Sequence, residues 1–361
     1  MKRLQIPLLV LCIFILKACT EAPTPNPCLN QPPSIPRIDD YHPDNFFFKA
    51  LPTSVSIKSN SQLMVDRLVL ETAGIFRVSA NEFSEKVYYI TESTPRYDVY
   101  RNSDFCNASF QNEVIQNVPI PQGAMPAFGS DQQITLVDLA NQLTYNFQAF
   151  NSISNPCNTW GCYQFGGAGV APIKNSGVVA YQGRGFAGAG FLGIAGAIWP
   201  DELINGYINH ALRASYKITK NEFVDPAIKS DGTYADEDAI PMGTLLQLDP
   251  SIDVTDPAYG MNRSEQIIAK AMQDFGLYMG DTNGAGLSVK AISVKSYTCN
   301  PYDDYIEGAN VGGECTTYKS GNINLKNIPL QYLRIIEFPH TFYVTEDTRV
   351  VRMTDCLPMC N

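Results

Sequence analysis

Hydrophobic and polar positions along the chain fall into many short alternating runs and few long periodic ones. Residues 68–70, 75–78, 87–90 and 114–120 read as short strands, punctuated by turn residues and by Pro95, Pro119 and Pro121. Residues 134–137 and 143–150 read as a hairpin, with Leu143, Tyr145, Phe147 and Ala149 on one face at period two. Residues 207–219 alternate most cleanly. Ile208, His210, Leu212, Ala214, Tyr216 and Ile218 share one face, and Asn209, Arg213, Ser215 and Lys217 share the other. Further strands are expected at 244–248, 332–338 and 341–344.

Two helices stand out. Residues 199–206 suit one or two turns, with Pro200 in the first turn and Gly206 at the stop. Residues 264–279 carry Ile267, Ile268, Ala271, Met272, Phe275 and Met279 at helical spacing, behind an Asn262–Glu265 capping box. Gly276 lies near the end, so residues 277–280 are open to beginning a strand instead. The pattern predicts a mainly β fold: an antiparallel β-sandwich of jelly-roll type with one substantial helix.

Composition agrees. The 361 residues are 45% hydrophobic and 17% charged, with Gly 26, Pro 24, Phe 18 and Tyr 19, which disfavours both disorder and an all-helical chain. The net charge is −10. Lys2, Arg3 and Lys17 fall in the first 18 residues, so the remainder is more acidic still. Such a surface repels phosphate backbones, and no nucleic-acid partner is expected.

The N-terminus reads as an address. Lys2 and Arg3 precede an apolar run from Ile6 to Leu16, too short for a helix to span a bilayer. Ala18-Cys19 after that run resembles the lipobox of bacterial lipoproteins, in which the Cys carries lipid. Lys17 departs from the small uncharged residue usual there. An ordinary signal peptide is the alternative. Residues 1–18 are thus expected to be a signal peptide, and residues 19–36, with six prolines between Pro23 and Pro36, a stiff tether from a lipidated Cys19. Residues 37–361 then form a single sandwich domain with a disulfide-bonded C-terminal extension. The expected location is exported, lipid-anchored at the cell membrane or outer membrane.

Eight cysteines remain beyond Cys12 and Cys19: Cys28, Cys106, Cys157, Cys162, Cys299, Cys315, Cys356 and Cys360. An even number in an exported chain suggests disulfides, with connectivity open. Local proximity favours 157–162, 299–315, 356–360 and 28–106. No Cys-x-x-Cys occurs, and His42, His210 and His340 lie far from the Cys pairs, so no metal is expected.

The chemistry-bearing motifs are weak. Glycines crowd residues 161–196, but neither a P-loop nor a dinucleotide fingerprint is present, and no cofactor is expected. Gly-x-Ser-x-Gly and His-Glu-x-x-His are absent. His210, on an apolar strand face, is either a satisfied core histidine or a general acid or base in a groove. Asp131 fits a turn or a carboxylate at the sheet rim, Glu202 a first-turn carboxylate, and Asp281 a hairpin turn. Together Asp131, Glu202, His210 and Asp281 are the candidate catalytic set. Two carboxylates about 5–10 Å apart would suit glycoside hydrolysis. His or Tyr with Arg213 would suit proton abstraction from a uronic acid, as in polysaccharide lyases. Arg213 and Tyr278 are candidate ligand contacts, and Trp160 and Trp199 candidates for sugar stacking, although aromatics in such folds are usually core. Ser230-Asp-Gly232 and Asp236-Glu-Asp238 read as a solvated acidic loop, without EF-hand spacing.

Across residues 129–281 the order Gly129-Ser-Asp131, Asp201-Glu202, Gly206-Tyr-Ile-Asn-His-Ala-Leu212, Pro241-Met-Gly243 and Gly276-Leu-Tyr-Met-Gly-Asp281 resembles a broad family of exported bacterial proteins. The resemblance implies that these polar residues form one linked set; it brings no established activity. Two functions are expected from different classes: an enzyme that binds or cleaves polysaccharide, or a noncatalytic envelope or adhesion lipoprotein.

Overall fold

The computed structural model describes residues 45–101, 114–153, 162–173, 186–297, 301–302 and 323–337. The signal, the tether, Cys19, Trp160 and every candidate disulfide cysteine except Cys162 lie outside the described residues. No helix among them is long and apolar enough to cross a membrane.

The chain is mainly β. After helix α1 (Ser61–Thr72) come strands β1 (Phe76–Ser79), β2 (Val87–Ile90), β3 (Arg96–Arg101) and β4 (Val114–Pro119). Next follow β5 (Ile134–Asp138), β6 (Leu143–Gln148), β7 (Asn151–Ile153), β8 (Cys162–Phe165) and β9 (Gly167–Pro172). Helix α2 (Pro200–Asn205) precedes β10 (Leu212–Tyr216), β11 (Thr219–Phe223), β12 (Ile240–Met242) and β13 (Leu245–Leu248). Helix α3 (Arg263–Asp274), β14 (Leu277–Thr282), β15 (Leu287–Lys290), β16 (Ile323–Asn324) and β17 (Leu333–Ile335) complete the set.

A seven-stranded sheet in the order β16-β1-β15-β10-β14-β13-β17 forms the centre. Two four-stranded sheets, β2-β5-β6-β9 and β4-β3-β8-β7, share one apolar cluster. Ile134, Leu136 and Phe147 of the first meet Val99, Val118 and Phe165 of the second there. Each such fully buried side chain contributes roughly 1.5–3 kcal/mol. The β5–β6 hairpin forms as the alternation requires, with Ile134 opposite Phe147 and Asp138 opposite Leu143.

The sheets are mixed, where the sequence pattern suggested antiparallel pairing throughout. β1 runs parallel to β15, β10 to β14, β2 to β5 and β3 to β8. These partners are distant in sequence, and local alternation carries no information about which distant strand a given strand will meet. Residues 68–70 lie in α1 rather than in a strand. Met64, Val65, Leu68 and Thr72 are buried at helical spacing, and tertiary burial of that face overrides the local β-branched residues.

The long helix ends at Asp274, and β14 starts just after Gly276, whose φ is +82°. Its capping box is formed: Asn262 Oδ1 accepts from Glu265 N–H at 2.9 Å and Glu265 Oε2 from Asn262 N–H at 3.0 Å. The clean alternation of 207–219 yields a strand only at 212–216. There both faces are buried: Ser215 is covered, and the Arg213 guanidinium reaches Leu192 O and Glu85 instead of water.

Candidate functional site

Strand β14 carries a bulge. Ala214 of β10 pairs with Met279, but Ser215 pairs with Asp281, so Gly280 is the extra residue. A bulge re-aims the side chain that follows it, here Asp281 at the strand end. Gly280 also makes room: a Cβ there would come within 2.6 Å of Arg213 Cγ.

The Asp281 side chain lies within hydrogen-bonding reach of the Asp231 carboxyl. Asp231 is held from β14 as well, because Thr282 donates its hydroxyl to Oδ1 at 2.7 Å and its N–H to Oδ2 at 3.3 Å. The Thr219 hydroxyl in turn lies 2.6 Å from that of Thr282. On the other side Gly188 N–H donates to Asp281 Oδ1 at 3.1 Å, and a Cβ on Gly188 would stand 2.6 Å from the Asp231 carboxyl carbon. The backbone at Gly188 thus presses directly on both acids. Asp231 and Asp281 are half-buried.

Two adjacent carboxylates resist joint ionisation. Burial first, and the Asp281 charge second, push Asp231 up to about 7, against the pull of the Thr282 hydrogen bonds. Asp231 therefore holds its proton into the neutral range. Asp131, also half-buried, lies within electrostatic reach of Asp281; burial raises it and Lys290 opposes the rise. Lys229 sits two residues before Asp231, and Ser230 between them donates its hydroxyl to Lys220 O. Burial lowers the Lys229 amine, and the charges of Asp231 and Asp281 work against that.

Behind these acids lies a sealed layer of charge. Arg213, fully buried, donates to Glu85 Oε1 at 2.5 Å and to Leu192 O at 2.6 Å. Lys290 donates to Phe83 O at 2.7 Å and to Gln133 Oε1 at 3.2 Å. Burial raises the Glu85 carboxyl, with Arg213 and Lys290 pulling it down.

The expected catalytic set divides in two. Asp131 and Asp281 join one electrostatic group, whereas Glu202 and His210 pair with each other. His210 Nε2 lies 2.9 Å from Glu202 Oε1, and both side chains are sealed from solvent. Glu202 Oε2 accepts from Trp199 N–H at 2.8 Å, and His210 Nδ1 donates to Ala211 O at 2.8 Å. Neither residue is among the groups acting on Asp131 or Asp231.

The candidate ligand contacts among the described residues are interior. Arg213 is committed to Glu85. Tyr278 packs against Phe46, Phe47 and Phe191, its hydroxyl pKa raised by burial. Trp199 is buried among Val87, Val137 and Ile292. Cys162 lies on β8 opposite Ile153.

Asp231, Lys229 and Glu85 were not in the expected set. The only signal for Asp231 was Ser230-Asp-Gly232, which reads equally as a solvated loop. That reading fits the nearby Asp236 and Glu237, which are exposed. Among the described residues no group of three or more His, Cys, Asp or Glu is arranged to hold a metal.

No protein-family model matches the chain, no curated protein matches it in sequence, and no solved structure matches it.

Proposed function

We propose that the chain is an exported, lipid-anchored hydrolase of polysaccharide that works through the Asp231–Asp281 pair. The observation that carries this reading is a half-buried pair of neighbouring carboxyls, both held at the Gly188 backbone, with Asp231 pushed up to about 7. Asp231 so holds a proton near neutrality, which suits a general acid. Glycosidases place their two carboxyls about 5 Å or more apart, wider than a hydrogen bond. The pair therefore serves as one catalytic unit, with Asp131 as the second carboxylate across the scissile bond. We read the two four-stranded sheets, which share one apolar cluster, as the β-sandwich, with parallel β2–β5 and β3–β8 pairs where a jelly roll is antiparallel.

A second reading follows from the closeness of the pair. Two carboxyls sharing one proton also activate a single water for attack on a carbonyl, as in aspartic proteases. The noncatalytic adhesion reading loses support among the described residues, because Trp199 and Tyr278 are buried.

Release of reducing ends from polysaccharides, run beside release of peptide fragments from a denatured protein, separates the readings. Asp231→Asn and Asp281→Asn are each expected to lower the active rate by about 10²–10⁴-fold while melting close to wild type. His210→Ala is expected to lower the melting temperature instead, since it leaves Glu202 buried without its imidazole. Unchanged rates in both Asp variants would overturn the assignment.

A further inference from the structure

A polar row crosses the central sheet and ends on the acid pair. Arg77 of β1 stands opposite Ser288 of β15, Ser288 opposite Ser215 of β10, and Ser215 opposite Asp281 of β14. Residues paired across neighbouring strands project to the same side of a sheet. Arg213, two residues before Ser215 on β10, shares that side. Its guanidinium reaches Leu192 O, and Gly188 N–H of the same 186–198 segment donates to Asp281.

The row is not satisfied from within. Ser215 is 3% exposed, and among the described residues no group lies within hydrogen-bonding distance of its hydroxyl. Ser288 is 5% exposed; its oxygen accepts from Asn283 Nδ2 at 3.3 Å, and among the described residues its hydroxyl hydrogen has no acceptor. Arg77 Nε, at the far end of the row, is likewise buried without a partner. A buried hydroxyl left alone is destabilising, so packing of the sheet does not account for Ser215. Neighbouring strands stand about 4.8 Å apart. That is long for one hydrogen bond and close to the span of two, each of about 2.8 Å, through a single water. A buried water takes about two to four polar partners, and Ser215, Ser288 and Asp281 supply three.

We propose that Ser215 is the positioning residue for the hydrolytic water: its hydroxyl, with that of Ser288, holds one water against the Asp281 carboxyl. The inference rests on the reading of the acid pair as the hydrolytic site. On polysaccharide the water acts in the second step. In the first, Asp131 bonds to the anomeric carbon, the glycosidic C–O bond breaks, and Asp231 gives its proton to the departing oxygen. The held water then attacks the anomeric carbon, the bond to Asp131 breaks, and a proton of the water passes to Asp231. Ser215 makes and breaks no covalent bond.

The test is a crystal structure of the full chain beside the kinetics of Ser215→Ala. An ordered water is expected within about 3.2 Å of both Ser215 Oγ and an Asp281 carboxyl oxygen, and it should be lost in Ser215→Ala. That variant should release reducing ends about tenfold more slowly or worse, yet melt at or above the wild-type temperature, because it removes an unpaired hydroxyl. In dilute methanol its products should shift about threefold or more toward the methyl glycoside, since the loss falls on water and not on the competing alcohol. Ser288→Ala, which leaves the Ser215 hydroxyl in place, should slow the reaction less. A merely structural hydroxyl would lower the melting temperature and leave rate and product ratio unchanged. That result, Ser215 Oγ bonded to a protein group in the crystal, or no water touching it overturns the inference. Whether the wild type releases reducing ends decides separately if the hydrolase stands. A water on Ser215 and Asp281 in a chain without that activity keeps the water site and removes its hydrolytic role.

Discussion

At the residue scale, the decisive contrast is between two acids in partner-rich surroundings. Glu202 meets an imidazole and a backbone N–H, and both of its oxygens are spoken for inside the protein. Asp231 meets another acid. Its raised pKa means that the folded chain holds a proton which the unfolded chain, with an ordinary value near 3.8, has released. Stability from this group is therefore present below about pH 4 and declines as pH rises through about 7. The depressed carboxyls Asp138, Asp249 and Asp253 act the opposite way, but only in the acid range below their ordinary value. Thermal melts from pH 5 to 8 are expected to fall more steeply for wild type than for Asp231→Asn, which carries no ionisable group there. The hydrolytic rate should decline over the same interval as the acid partner is lost. A flat melting profile in wild type would show that the proton is not shared.

At the scale of elements, the sequence was most readable where structure is local. The hairpin at 134–148, the capping box of α3 and the strand start after Gly276 all follow from neighbours within a few residues. The site was only half legible. Asp281 announces itself by ending a strand, but its partner Asp231 arrives from a loop fifty residues earlier, and nothing in the spacing links them. The bulge at Gly280 and the bare backbone at Gly188 complete the geometry, and both looked like ordinary members of a glycine-rich stretch. Gly188→Ala tests the point. Its Cβ cannot coexist with the Asp231 carboxyl where it stands, so the acid must turn away. Overpacking of this kind costs about 1–3 kcal/mol. A drop in rate far larger than the drop in melting temperature is expected, as measured by turnover and thermal melts side by side.

At the scale of the whole molecule, a layer of buried charge and amide joins the central sheet to the smaller ones. Glu85–Arg213 is one tie, and Asn146 supplies another. Its Oδ1 accepts from Gly193 N–H at 3.0 Å and from the Thr135 hydroxyl at 3.2 Å, and its Nδ2 donates to Gly169 O at 3.2 Å. Periodicity cannot show such a layer, because Arg213 and Asn146 occupy the strand positions that ordinarily face water. Arg213→Met should leave Glu85 buried without its cation and cost about 3–5 kcal/mol. Arg213→Met together with Glu85→Leu should recover much of that loss. Chemical denaturation of the two variants and of each single change gives the coupling directly.

The same layer constrains how the protein can be divided. A fragment cut out around residues 87–172 would carry the amide of Asn146 and the lysine-facing Gln133 to a raw outer surface, while the remainder would keep Lys290 with one of its two acceptors missing and the Gly193 N–H without its amide partner. Grafting the small sheets onto another scaffold, or shortening the chain to a minimal catalytic piece, would therefore first require redesigning that seam in hydrocarbon.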